Sequence, residues 1–151
     1  MNKKQPTNLP ASIRQRLLNL SRDLGEDFNL TLTRYGTERL LYRLSQSERA
    51  DHFVLKGALL LSLWTDRLHR PTRDIDLLGY GDSSQEALTE LFQDLCVADV
   101  EADGLTLHPD TVRVTQIRED QEYGGQRVTL TATLGKARIH LQVDIGFGDV
   151  I

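Results

Sequence analysis

Apolar residues set the first rhythm of the chain. Ile13, Leu17, Leu20 and Leu24 recur at spacings of four, three and four, which predicts an amphipathic helix. Ser12 can cap its start, and Gly25 suits the left-handed backbone at its end. A second helix is expected over "NLTLTRYGTERLLYRLSQS", with Tyr35, Leu40, Leu41 and Leu44 apolar. Its Arg34, Glu38, Arg39 and Arg43 read as a solvated face, with a phosphate- or RNA-facing surface as the alternative. Gly36 weakens this helix locally. Residues 1 to 10 read as a loose polar leader.

After "SERAD" the texture changes. "HFVL" is a short apolar strand, "KG" a turn, and "ALLLSLW" a helix that is apolar nearly all round and therefore buried. "DRLHRPTR" is a basic loop broken by Pro71, "DIDLL" a strand and "GYGDSS" a Gly-rich loop. Ser84 can cap a helix running to about Cys96, with Ala87, Leu88, Leu91, Phe92 and Leu95 inward. "GLTL", "TVRVTQI", "QRVTLTATL" and "KARIHLQVDIGF" read as strands, with hairpin turns at Leu134-Gly135-Lys136 and at "YGGQ". In the last strand Ala137, Ile139, Leu141 and Val143 share one face, while Arg138, His140, Gln142 and Asp144 share the other. The order predicts an α+β fold with a mixed sheet. A leader and helical pair occupy residues 1–50, and a sheet-bearing core occupies residues 51–151.

Composition narrows this picture modestly. The 151 residues fit one domain, and 26% charged residues with 39% hydrophobic residues are ordinary for a soluble protein. A net charge of −4 provides no global basic field, so a nucleic-acid partner would need a local patch. Cys96 is the single cysteine, which excludes an intramolecular disulfide and suits a reducing cytosol. It is read as core. No apolar run approaches the roughly 20 residues of a membrane span, and "MNKKQPTNLP" lacks the apolar segment of a secretory signal. A cytoplasmic location without membrane contact is expected.

The candidate chemistry lies in "TRDIDLLGY". On a strand Asp74 and Asp76 fall on one side, roughly 7 Å apart, where they repel by about 2 kcal/mol at an effective dielectric near 20. Apolar Ile75, Leu77 and Leu78 suggest partial burial, so a positive group is expected beside the pair. If "DIDLL" and "LQVDI" lie side by side, Asp144 can join them on one face. Hard cations such as Mg²⁺ take oxygen ligands, and a two-metal site clamps the oxygens of phosphoryl transfer. Upstream, the Gly57 turn in "LKGALLL" puts backbone N–H groups at a helix start, which suits a triphosphate. Lys56, Arg70, Thr72 and Arg73 surround this segment. A lone D-x-D also fits solvated strand-end aspartates, a lone Lys56 a surface lysine and a lone Gly57 a simple turn. His69 and His140 lack metal-ligand spacing and are read as non-catalytic.

Taken together, "FVLKGALLLSLW…HRPTRDIDLLG" and "LQVDIGFGDVI" resemble the AbiEii (abortive infection) toxins, of the DNA polymerase β-type nucleotidyltransferase superfamily. Gly57, Asp74 and Asp76 match that superfamily's first motif, and Asp144 matches its third carboxylate. Ala58 stands where a serine is often found. The resemblance implies a nucleotidyltransferase fold and metal-dependent transfer of a nucleotide from an NTP to an acceptor such as tRNA. It implies that Asp74, Asp76 and Asp144 hold Mg²⁺ or Mn²⁺, that Asp144 helps activate the attacking hydroxyl, and that Lys56 and the Gly57 turn, with Ala58, Thr72 and Arg73, cradle the phosphates. It also implies a cognate, AbiEi-like antitoxin.

Family members usually continue past "GFGDV" into a helical half with further lysine and aspartate motifs, whereas this sequence ends at Ile151. Weak NTP binding by the chain alone, and an apolar surface open to dimerisation or to a missing C-terminal half, are the matching expectations. A non-catalytic remnant that binds a nucleotide or partner is the alternative function. A haloacid dehalogenase-type phosphatase fits less well, because its nucleophilic Asp follows an apolar strand, whereas "HRPTR" precedes Asp74.

Overall fold

The computed structural model describes residues 8–50, 53–55, 74–81, 84–117 and 125–147, with the side chains of Val54, Leu55 and Asp74 outside that description. Along the chain come α1 (Leu9–Leu24), α2 (Phe28–Ser45), β1 (Phe53–Leu55), β2 (Asp74–Gly79) and α3 (Gln85–Cys96). Then follow β3 (Leu105–Leu107), a 3-10 turn at Pro109–Thr111, β4 (Arg113–Ile117), β5 (Gly125–Leu134) and β6 (Ala137–Phe147). The α+β class and mixed sheet expected from the pattern are present. The expected "KG" turn, the "ALLLSLW" helix and the first two residues of the "YGGQ" turn lie outside the described residues.

The sheet runs β1-β2-β6-β5-β3 in space, with β4 also pairing β5. β2 and β6 pair parallel, and the other described pairs are antiparallel. β5 and β6 form the central hairpin around Gly135, whose φ of 61° is the left-handed conformation a tight turn requires. Alternation then does what it predicts. Ile75, Leu77, Val128, Leu130, Ala132, Leu134, Ile139, Leu141, Val143 and Ile145 are buried on one face. Leu17 from α1, Leu32, Leu40 and Leu44 from α2, and Leu88, Leu91, Phe92 and Leu95 from α3 join the same core. The opposite face keeps the polar positions of β2, β5 and β6.

Helix ends show where local signals sufficed. α1 begins at Leu9 rather than at Ser12: the Asn8 side chain accepts from the Ala11 amide at 3.2 Å, and Pro10 occupies the first turn, where its missing N–H is harmless. Gly25 ends α1 at φ 67°, as expected. Ser84 caps α3 by accepting from the Ala87 amide at 3.1 Å. Cys96, packed against the core, has its thiol pushed up to about 11 by burial.

Two readings of α2 change. Gly36 is less a defect than a contact point. A Cβ there would stand 3.0 Å from Leu141 Cδ2 and 3.3 Å from Ile139 Cγ2, so glycine lets the helix lie close on the sheet. The arginines do not form a solvated face. Arg43 is only 5% exposed, and its Nη1 lies 3.0 Å from Asp103 Oδ2. Arg39 Nε reaches the same oxygen at 2.8 Å, and the Leu105 amide donates to Oδ1 at 3.1 Å. Tyr35 donates to the Asp103 carbonyl at 2.7 Å, and Arg34 pairs with Glu26 at 2.9 Å. Arg39 and Arg43 therefore tie α2 to the segment that leads into β3, while Arg34 ties it to the turn after α1. Burial alone would raise the Asp103 carboxyl, but hydrogen bonds from Arg39, Arg43 and the Leu105 amide outweigh it and hold the group below the usual carboxylate range.

Asp103→Asn, which leaves Arg43 buried without its charge partner, is expected to cost about 3–5 kcal/mol in urea denaturation at neutral pH. Because the folded-state pKa of Asp103 is depressed, its contribution is fully present above the unfolded value near 4 and is lost as pH falls through the lower folded value. The wild type should therefore lose stability more steeply below about pH 4 than the Asn variant. Gly36→Val should destabilise by about 1–3 kcal/mol through overpacking against Leu141, read as a fall in thermal midpoint.

Candidate functional site

The open face of the sheet gathers charge at one row. β2 and β6 lie side by side, and their register sets Asp74 opposite Gln142 and Asp76 opposite Asp144. Ile75, Leu77, Val143 and Ile145 are buried on the core side, so strand alternation sends Asp76 and Asp144 to the other side. Asp76 is exposed and Asp144 is half-buried. With adjacent strands about 4.8 Å apart, two such charges repel by roughly 3 kcal/mol at an effective dielectric near 20.

The positive group called for by this arrangement comes from the next strand. Arg127 of β5 pairs with Asp144 in the antiparallel ladder. Its Nε donates to Asp144 Oδ1 at 2.9 Å and its Nη2 to Oδ2 at 3.1 Å, a bidentate fork. The side chains are 38% and 23% exposed, so the pair sits at the solvent boundary. Arg127, Asp144 and Asp76 thus form one row across three strands.

Arg127 was not among the residues singled out from the sequence. The signal was there to be counted. The two-residue turn at Gly135-Lys136 pairs Leu134 with Ala137, and stepping back along β5 while stepping forward along β6 brings Arg127 to Asp144.

Of the other expected site residues, Asp74 opens β2 two positions before Asp76, but its side chain is outside the described residues. Lys56, Gly57, Ala58, Thr72 and Arg73 also lie outside them, as do Arg70 and His69. His140 is exposed on the polar face of β6. Along the same strand, a cleft of about 550 Å³ is bordered by Asp27, Thr33, Arg138, His140 and Gln142.

Among the described residues, no three His, Cys, Asp or Glu side chains gather to hold a metal ion. The Asp76–Asp144 pair nonetheless has the donor chemistry a hard divalent cation takes. A carboxylate offers about four lone-pair sites, and the Arg127 fork uses about two on Asp144, leaving one on each oxygen. The pair therefore fits such a cation, with Arg127 as a neighbour that shares one ligand. No described helix is long and apolar enough to cross a membrane.

With this geometry in view, comparison with known proteins decides the family. The family described as "Nucleotidyl transferase AbiEii toxin, Type IV TA system" matches residues 39–151, well over half of the chain. The chain belongs to the AbiEii nucleotidyltransferase toxin family. The match takes in β2, β5 and β6, and with them Asp74, Asp76, Arg127 and Asp144. No curated protein matches the chain. Among solved structures, JHP933 from Helicobacter pylori is similar at 17% identity and a TM-score of 0.47, over 76% of this chain. The chain spans 42% of the length of that protein.

Removing Arg127 should show what it offsets. Arg127→Ala is expected to lower stability by about 1 kcal/mol in low salt, since the pair is partly exposed. In an Asp144→Asn background the same change should cost little. A double-mutant cycle by urea denaturation measures the difference as the coupling of the pair.

Proposed function

We propose that this AbiEii-family chain carries the metal site of a nucleotidyltransferase toxin, with Asp76, Asp144 and Asp74 as the acidic ligands. The observation that supports the reading best is the register that sets Asp76 against Asp144 on the open face of adjacent parallel strands. Two carboxylates kept that close, with an arginine forked onto one of them, have the donor chemistry of a cation site. The cleft beside Gln142 gives room for a substrate along the same strand.

In this reading an acceptor hydroxyl oxygen attacks the α-phosphorus of an NTP. The bond from that phosphorus to the bridging oxygen breaks, pyrophosphate leaves, and the hydroxyl proton passes to Asp144 or to solvent. A bound Mg²⁺ or Mn²⁺ would neutralise the phosphate charge and orient the reacting oxygens. Asp76 and Asp144 contribute by holding their oxygens on rigid strands, which fixes the ligand positions before substrate arrives. Lys56, the Gly57 turn with Ala58, and Thr72 and Arg73 are assigned to the triphosphate, and tRNA is the acceptor class proposed. A cognate antitoxin is the proposed protein partner. The proposed compartment is the cytoplasm.

The test is incubation with each radiolabelled NTP, Mg²⁺ and total tRNA, followed by a count of label on the RNA. Wild type should transfer label. Asp76→Ala and Asp144→Ala should lose at least about 100-fold while keeping their circular dichroism spectra. Undiminished transfer by either variant contradicts the assignment. Nucleotide binding with no transfer by wild type would favour the binding-module alternative instead.

A further inference from the structure

The Arg127–Asp144 fork has a consequence beyond the assignment of ligands. A guanidinium keeps its charge at every pH a protein tolerates, so it cannot be silenced by losing a proton. It sits on the carboxylate that would have to serve a divalent cation, and it uses the two-oxygen geometry that a chelating carboxylate would present. A cation arriving between Asp76 and Asp144 therefore meets a fixed positive charge one strand away. Either Arg127 releases Asp144 and swings outward, which its 38% exposure leaves room for, or both share the carboxylate at the cost of mutual repulsion.

We infer that Arg127 is a built-in counter-ion of the site: it caps Asp144 in the cation-free protein and competes with the divalent cation for that carboxylate. The inference rests on the reading of Asp76 and Asp144 as cation ligands. Its physical basis is the row of three side chains. Without Arg127, Asp144 loses the fork that offsets its charge beside Asp76 on the adjacent parallel strand. With Arg127 in place, the sheet can form before any cation is present. The same device weakens cation binding, so occupancy follows the cation or cation–nucleotide concentration over a higher range than two unopposed aspartates would set. Arg127 is thus a positioning residue that touches a ligand of the site.

The experiment is Mn²⁺ titration of the wild-type chain and four variants by calorimetry, with thermal midpoints measured with and without Mn²⁺. In wild type an Mn²⁺ site should be present and should vanish in Asp76→Asn. Arg127→Gln should bind Mn²⁺ about tenfold tighter, should melt lower than wild type without Mn²⁺, and should gain more from Mn²⁺. Combining it with Asp76→Asn should remove the gain. Arg22→Gln, which removes the same charge from an exposed position on α1, should leave the affinity within about twofold of wild type. Should Arg127→Gln fail to fold, Arg127→Lys keeps the charge without the two-oxygen fork, and about threefold tighter binding is expected. An Asp76-dependent site whose affinity is unchanged or weaker in the position-127 variant overturns the counter-ion role and leaves the cation site standing. Absence of any Asp76-dependent binding overturns the cation site, and the counter-ion role with it.

Discussion

The register of β2 against β6 is the constraint on which the candidate chemistry depends. It is fixed from the core side, not by the acidic groups. Ile75 and Leu77 are buried with Val143 and Ile145, and a one-residue slip of β2 along β6, which β5 holds in place, would turn Ile75 and Leu77 outward and drive Asp76 into the core. Burial of each such side chain is worth about 1.5–3 kcal/mol, which outweighs the roughly 3 kcal/mol of repulsion between the two carboxylates. The hydrophobic face therefore holds the charged row in place. Arg127 joins that row for the same kind of reason, because the Gly135 hairpin sets β5 against β6.

Two sets of arginines divide the electrostatic work. Arg39 and Arg43 converge on buried Asp103 and tie α2 to the entry of β3, deep enough that their charge is spent on structure. Arg127 meets Asp144 at the solvent boundary, where the pair can open. The depth of the carboxylate separates a latch from a candidate exchange site. An overall charge of −4 gives neither set a basic field to act through, so each is local.

Period and punctuation made much of the fold legible. The strict alternation of "ARIHLQVDIGF" revealed which side of β6 is buried, Gly135-Lys136 marked the hairpin, and Gly25 by its left-handed backbone and Ser84 by its capping hydroxyl marked helix ends. Asn8 was missed because a cap two residues before a proline competes with a plausible serine four positions on. The α2 arginines were misread because helix periodicity distinguishes faces but cannot foresee a partner 60 residues away. Asp76 and Asp144 were legible as a D-x-D strand and a second acidic strand. Arg127 was not, because its meaning lies wholly in cross-strand register. Membership of the AbiEii family, carried by the match over residues 39–151, agrees with the resemblance in the acidic strands.

The central claim is that Asp76 and Asp144, set opposite each other by the β2–β6 register, share a divalent cation. The most direct measurement follows backbone amide resonances of the labelled protein as trace Mn²⁺ is added, since paramagnetic broadening falls steeply with distance. Broadening centred on Asp76, Asp144 and Arg127, with Asp103 and Glu26 spared, is the predicted result. Broadening spread evenly over the acidic surface, or centred on another carboxylate, would contradict it.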